Sequence, residues 1–132
     1  MYKKTITYTD FNDVERTEDF YFNLTKAELF DLNFQHPGGL ANHIRRITAT
    51  QDGPELVKIF KEIIELSYGE KDETGRRFVK SKELTEAFEQ TNAFSILYME
   101  LATDSDAAAA FINGVVPADL ADKLPAAADI AG

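Results

Sequence analysis

The sequence predicts an α+β, predominantly helical fold: an N-terminal β-hairpin followed by about five to six helices in one compact domain. Three observations predict it. Residues 3–22 hold two β-patterned runs around a polar turn, residues 54–68 carry a broad apolar arc at helical spacing, and capping residues recur ahead of later apolar-periodic stretches. A chain of 132 residues suits a single domain with its own core. The predicted globular unit is 1–124, made of a hairpin at 3–22 and a helical body at 25–124, with 125–132 as a flexible tail.

In chain order, Lys3 to Tyr8 alternates polar with Thr, Ile and Tyr, which is strand chemistry. Asp10-Phe-Asn-Asp13 reads as a turn, and Val14 to Phe22 as a strand returning antiparallel. Tyr8 and Phe11, with Val14, Phe20 and Phe22, are expected to form one apolar face. An isolated hairpin is marginal in water, so this face must lie on helices.

Thr25-Lys-Ala-Glu28 is a capping box, with Leu24 placed to staple to Leu29. This helix should stop before His36-Pro-Gly-Gly39, because proline disfavours helix in the residue before it. A second helix is expected from about Leu40 to Thr50, with Leu40, Ile44 and Ile47 inward and Arg45 and Arg46 toward solvent.

Pro54 to Tyr68 is the predicted central helix. At roughly 100° per residue, Leu56, Val57, Ile59, Phe60, Ile63, Ile64 and Tyr68 share one arc, while Glu55, Lys58, Lys61, Glu62 and Glu65 fill the other. Leu66 alone falls on the charged side. Pro54 suits a first turn, Asp52 or Gly53 can cap it, and Gly69 is expected to end it in a left-handed turn.

Glu70 to Lys80 reads as a polar loop turning at Thr74-Gly75 and pinned by Phe78 and Val79. Ser81 caps a helix from Lys82 to about Gln90, and Thr91-Asn92 caps Ala93 to Ala102. Asp104 or Ser105 starts another over Asp106 to Asn113, closed by Gly114.

Composition narrows function. The absence of cysteine excludes a disulfide framework, a thiolate zinc site and a cysteine nucleophile. No apolar run reaches the ~18 residues of a membrane span, and the opening Met1-Tyr-Lys-Lys-Thr-Ile has no apolar h-region of a secretory signal. A net charge of −9 argues against nucleic acid as partner. His36 and His43 are the only histidines and read as loop and surface residues. Asp72-Glu-Thr-Gly75 and Asp104-Ser-Asp106 lack the spacing of a calcium loop, and Gly38-Gly39 lacks the rest of a phosphate loop. Ten Phe and five Tyr are generous for a domain of this size and supply aromatic surface for contacts. At the C-terminal end, Phe111, Ile112, Val115, Val116, Leu120 and Leu124 either complete the core or form an apolar patch that binds a partner.

Four stretches together carry a likeness. They are Met1-Tyr-Lys-Lys-Thr-Ile-Thr-Tyr-Thr-Asp-Phe11 with Glu15-Arg-Thr-Glu-Asp-Phe-Tyr-Phe-Asn-Leu-Thr25, then Phe60 to Lys82 around Ser67-Tyr-Gly-Glu-Lys71, then Glu100-Leu-Ala-Thr-Asp104, then Phe111-Ile-Asn-Gly114. From the hairpin to about Pro117 the chain resembles the small tail assembly chaperones of siphophage-type bacteriophages of Gram-positive hosts. The resemblance implies a non-enzymatic role in tail morphogenesis, without cofactor or metal. It implies binding to the tape measure protein and to tail tube subunits in the host cytoplasm, and absence from the mature virion. It leaves open self-association and a longer frameshifted product. The rival readings are a minor structural tail or head–tail completion protein, and a small acidic inhibitor of a host protein.

Overall fold

A computed structural model describes residues 1–36, 39–50 and 53–116. Strands β1 (Tyr2–Thr9) and β2 (Glu15–Phe22) form the expected hairpin. Helices α1 (Lys26–Gln35), α2 (Leu40–Ala49) and α3 (Gly53–Ser67) follow. Strands β3 (Tyr68–Lys71) and β4 (Phe78–Val79) come next, and then α4 (Lys82–Glu89), α5 (Asn92–Thr103) and α6 (Ser105–Val115). The sheet is antiparallel in the order β1-β2-β3-β4, so the architecture among the described residues is α+β with six helices.

The hairpin turn is held by Asp10, whose carboxylate accepts from the backbone N–H groups of Asn12 at 2.8 Å and Val14 at 3.0 Å. Asp13 takes the left-handed conformation, φ 60°. The register pairs Tyr2 with Phe22 and Thr9 with Glu15. Because side chains alternate along a strand, Tyr2, Ile6, Tyr8, Phe20 and Phe22 share the packed face. The opposite face is polar, with Thr5 donating to Asp19 and Thr7 bonded to Thr17. Contrary to the expectation from sequence, Phe11 and Val14 do not join the apolar face. They sit in the turn beyond the last strand pair, 77% and 50% exposed.

Two further expectations are corrected at the centre of the chain. Gly69 is not a left-handed helix stop, since only Gly39 and Gly75 among the described glycines have positive φ. Instead α3 runs directly into β3, whose Tyr68 pairs with Phe22 and whose Gly69 pairs with Tyr21. A Cβ on Gly69 would lie 2.7 Å from both the Phe78 ring and the Val79 carbonyl, so glycine lets β4 close over β3. The polar segment after it is therefore a second hairpin and not a plain loop. It turns over Asp72–Arg77, with Asp72 N–H donating to the Arg77 carbonyl at 3.0 Å and Gly75 at φ +72°.

Helix ends follow local chemistry. Thr25 and Glu28 complete the capping box reciprocally, and the side chains of Ser81, Thr91 and Asp104 cap α4, α5 and α6. Leu24 and Leu29 are both buried. Asn33 accepts from Leu40 N–H at 2.9 Å and so ties α1 to the start of α2. In α2, Leu40 is buried and Arg46 exposed, while the side chains of Ile44, Arg45 and Ile47 lie outside the described residues. In α3, Ile59, Phe60, Ile63 and Ile64 are buried, Leu56 and Val57 half-buried, and Leu66 exposed on the charged side. Ser67 is fully buried and donates to the Ile63 carbonyl at 2.6 Å.

The core closes on Phe22. Its ring has no exposure and lies 5.4 Å from Phe111, 5.7 Å from Tyr68, 5.8 Å from Phe88 and 6.4 Å from Tyr2. Strand β2 thereby meets α4, α6 and both neighbouring strands through one side chain. Helix α6 comes so near β1 that a Cβ on Gly114 would meet Tyr2 Cδ2 at 2.5 Å. It runs on past Gly114 to Val115 rather than closing there.

Phe22→Ala should cost about 3–5 kcal/mol, as large aromatic truncations in a core do, read by urea denaturation. Gly114→Ala should destabilise by on the order of 1 kcal/mol through overpacking against Tyr2. A stabilised variant, the usual result of Gly→Ala within a helix, would mean that α6 does not seat on β1.

Candidate interaction surface

The described residues contain no group of three or more His, Asp and Glu able to hold a metal ion. No described helix is long and apolar enough to cross a membrane. Among the described residues, open grooves of about 390–470 Å³ lie beside α3, beside β2 and β3, and between α3 and α4. Their walls mix lysine and carboxylate, such as Lys58, Lys61, Glu62 and Glu65 beside α3.

The histidines are closer than the sequence suggested. Although α1 ends at Gln35 and α2 begins at Leu40, the two helices fold so that the His36 and His43 rings lie 4.6 Å apart, tilted by 31°. Glu62 Oε1 of α3 lies 3.4 Å from His36 Nε2, which makes no hydrogen bond. Burial holds the His43 imidazole below its ordinary value, and the neighbouring His36 and Arg46 add to that. Tertiary folding makes this contact, so no spacing rule could have found it.

Four of the six residues expected to form a partner-binding patch are core residues. Phe111, Ile112, Val115 and Val116 are 0–3% exposed. Phe111 meets Tyr2 edge-on at 5.4 Å, and Val115 accepts from Leu24 N–H at 2.8 Å. Helix α6 thus closes the far end of the sheet, where the hairpin leaves Tyr2 and Phe22 needing cover. Leu120 and Leu124, like the expected 125–132 tail, lie outside the described residues.

The apolar surface that is exposed lies elsewhere. Phe30 and Phe34 of α1 are 62% and 77% exposed and meet each other edge-on at 4.8 Å. Leu29 and Leu32 take the inward side of the same helix, which places the phenylalanines on the outer one. Among the described residues, Phe11 at the hairpin tip, Ile96 and Met99 on α5, and Leu66 on α3 are the other large exposed apolar groups beyond Met1 and Val14. The signal for the α1 pair was present in the sequence: with Leu29 and Leu32 both inward, a phase of about 100° per residue puts Phe30 and Phe34 on the far side of the helix from their midpoint.

Polar contacts hold α1 at its N-terminal end. Lys80, just after β4, donates to the Asn23 carbonyl and to Glu28 Oε2, both at 2.6 Å. Partial burial alone would raise the Glu28 carboxyl, but Lys80 and the Thr25 backbone N–H outweigh it and hold the group below its usual range. Lys4 on β1 and Glu100 on α5 form a second bridge at 2.8 Å.

The phage tail assembly chaperone family matches residues 1–129, nearly the whole sequence, and the chain belongs to that family. No curated protein and no solved structure matches it.

The Glu28 carboxyl is depressed in the folded state, so its contribution to stability is complete above the unfolded value near 4.5 and is lost as pH falls through the folded value. Denaturant midpoints measured from pH 6 down to about pH 3 should therefore fall less steeply for Glu28→Gln than for wild type. Parallel slopes would mean that the Lys80 clamp carries no pH-dependent stability.

Proposed function

We propose that this chaperone binds the tape measure protein, and tail tube subunits with it, during tail morphogenesis in the cytoplasm of a Gram-positive host. It acts by adhesion and transforms no substrate. The observation that carries this reading is the family match over residues 1–129. The chemistry of the surface supports it. A long, helical client with apolar stripes needs aromatic contacts to shield it, and exposed Phe11, Phe30 and Phe34 offer them. The complex needs net charge to stay dissolved, and the chain carries −9. Release at the end of assembly requires that the contacts be few, so that dissociation is fast.

A contact through Phe111, Ile112, Val115 and Val116 would require α6 to leave the sheet and expose the Phe22 ring. Each large apolar side chain so exposed costs about 1.5–3 kcal/mol. The exposed aromatic groups incur no such cost.

Affinity-tagged chain co-expressed with the tape measure protein of the same phage should keep that protein soluble and retain it on the resin. Mass spectrometry of purified particles should find the chain missing. Stoichiometric incorporation into mature particles would replace this reading with that of a structural tail component.

A further inference from the structure

We propose that the outer face of α1, the ridge of Ala27, Phe30 and Phe34, is the docking surface for an amphipathic helix whose apolar stripe is flanked by Lys or Arg. The inference rests on the adhesive reading above and assigns it a place on the molecule. Ala27, Phe30 and Phe34 are spaced three and four apart, the seam that one helix offers another. All three are exposed, and the two rings brace each other edge-on at 4.8 Å, so the ridge is ordered before anything lands on it. Asp31 stands exposed beside them on the same helix.

Area and charge select the occupant. Two phenylalanines at this exposure present on the order of 300 Å², whereas a stable protein interface takes about 800 Å² from each partner. The ridge is therefore too small to hold a permanent dimer, and a second copy would also bring another −9 against the first. Lys26 and Asp31, both exposed on α1, offset each other, so what a helix with basic flanks gains beyond the apolar contact is the attraction of the chain's net charge of −9. Such a contact is weak and quickly reversed, as a carrier of assembly intermediates needs.

The test uses the full chain and a fluorescein-labelled peptide of about three heptads, with Leu at a and d and Lys at b, e and g. Fluorescence anisotropy should show micromolar binding to wild type and at least ~10-fold weaker binding to Phe30→Gln/Phe34→Gln. Glutamine is a good helix former and leaves the charge unchanged, so the circular dichroism should not move. Phe30→Leu/Phe34→Leu should restore most of the affinity. Equal binding by wild type and the Gln variant overturns the proposal. So does a wild-type dimer in sedimentation that the Gln variant dissociates, since the occupant is then a second copy. Tighter peptide binding by Leu120→Ser/Leu124→Ser also overturns it, because the chain's own C-terminal segment then occupies the ridge. Retention of the tape measure protein by both wild type and the Gln variant sinks the ridge alone. Failure of wild type to retain it sinks the adhesive reading itself.

Discussion

Phe22 is the side chain on which the sheet and the helices agree. It ends β2, pairs across to Tyr2 on one side and Tyr68 on the other, and buries its ring among Tyr2, Tyr68, Phe88 and Phe111. A hairpin alone is marginal in water and gains stability from further strands and from packing on helices. The aromatic cluster couples the strands to α4 and α6, and the Tyr68–Phe88 stack at 4.4 Å extends it toward α5 through Phe94. Edge-on and tilted arrangements predominate, which is the geometry ring quadrupoles favour. The central helix α3 then lies against a surface already fixed, and its Ile59, Phe60, Ile63 and Ile64 fill what remains.

That arrangement divides the aromatic residues into two groups with different work. Those of β2, β3, α4 and α6 are spent on cohesion and are unavailable to a partner unless the fold opens. Phe30 and Phe34 add nothing to the core, because Leu29 and Leu32 already anchor α1 and Thr25, Glu28 and Lys80 secure its first turn. A helix held by one side and one end can carry a greasy outer face without penalty to the fold, apart from the risk of aggregation. The acidic balance of the chain works against that risk. The chain thus combines a firm aromatic core, a small exposed aromatic ridge on α1 and a net charge of −9.

How much of this was legible depended on whether the cause is local. The capping box at Thr25 and Glu28 and the caps at Ser81, Thr91 and Asp104 are written in three or four residues, and all are realised. The apolar arc of the central helix was equally plain, with Tyr68 the exception, since it belongs to a strand. β3 and β4 were not legible, because Tyr68-Gly-Glu-Lys71 becomes a strand only by pairing with β2, some fifty residues earlier in sequence. The approach of His36 to His43 escaped for the same reason. At the C-terminal end the sequence left two readings open, core or patch. Its residues were correctly seen as apolar, but only the position of Tyr2 and Phe22 in space shows that Phe111 and Val115 are needed inside. The exposed phenylalanines could have been found from helical phase once Leu29 and Leu32 were set inward.

Under the proposed function, client proteins engage the outside of α1 while the aromatic core stays shut. Hydrogen exchange of the full chain, free and bound to the tape measure protein, addresses that claim most directly. It predicts slower exchange over residues 26–35 on binding, with 105–115 unchanged. Faster exchange over 105–115, with 26–35 unaffected, would contradict it and make α6 a flap that opens to the client.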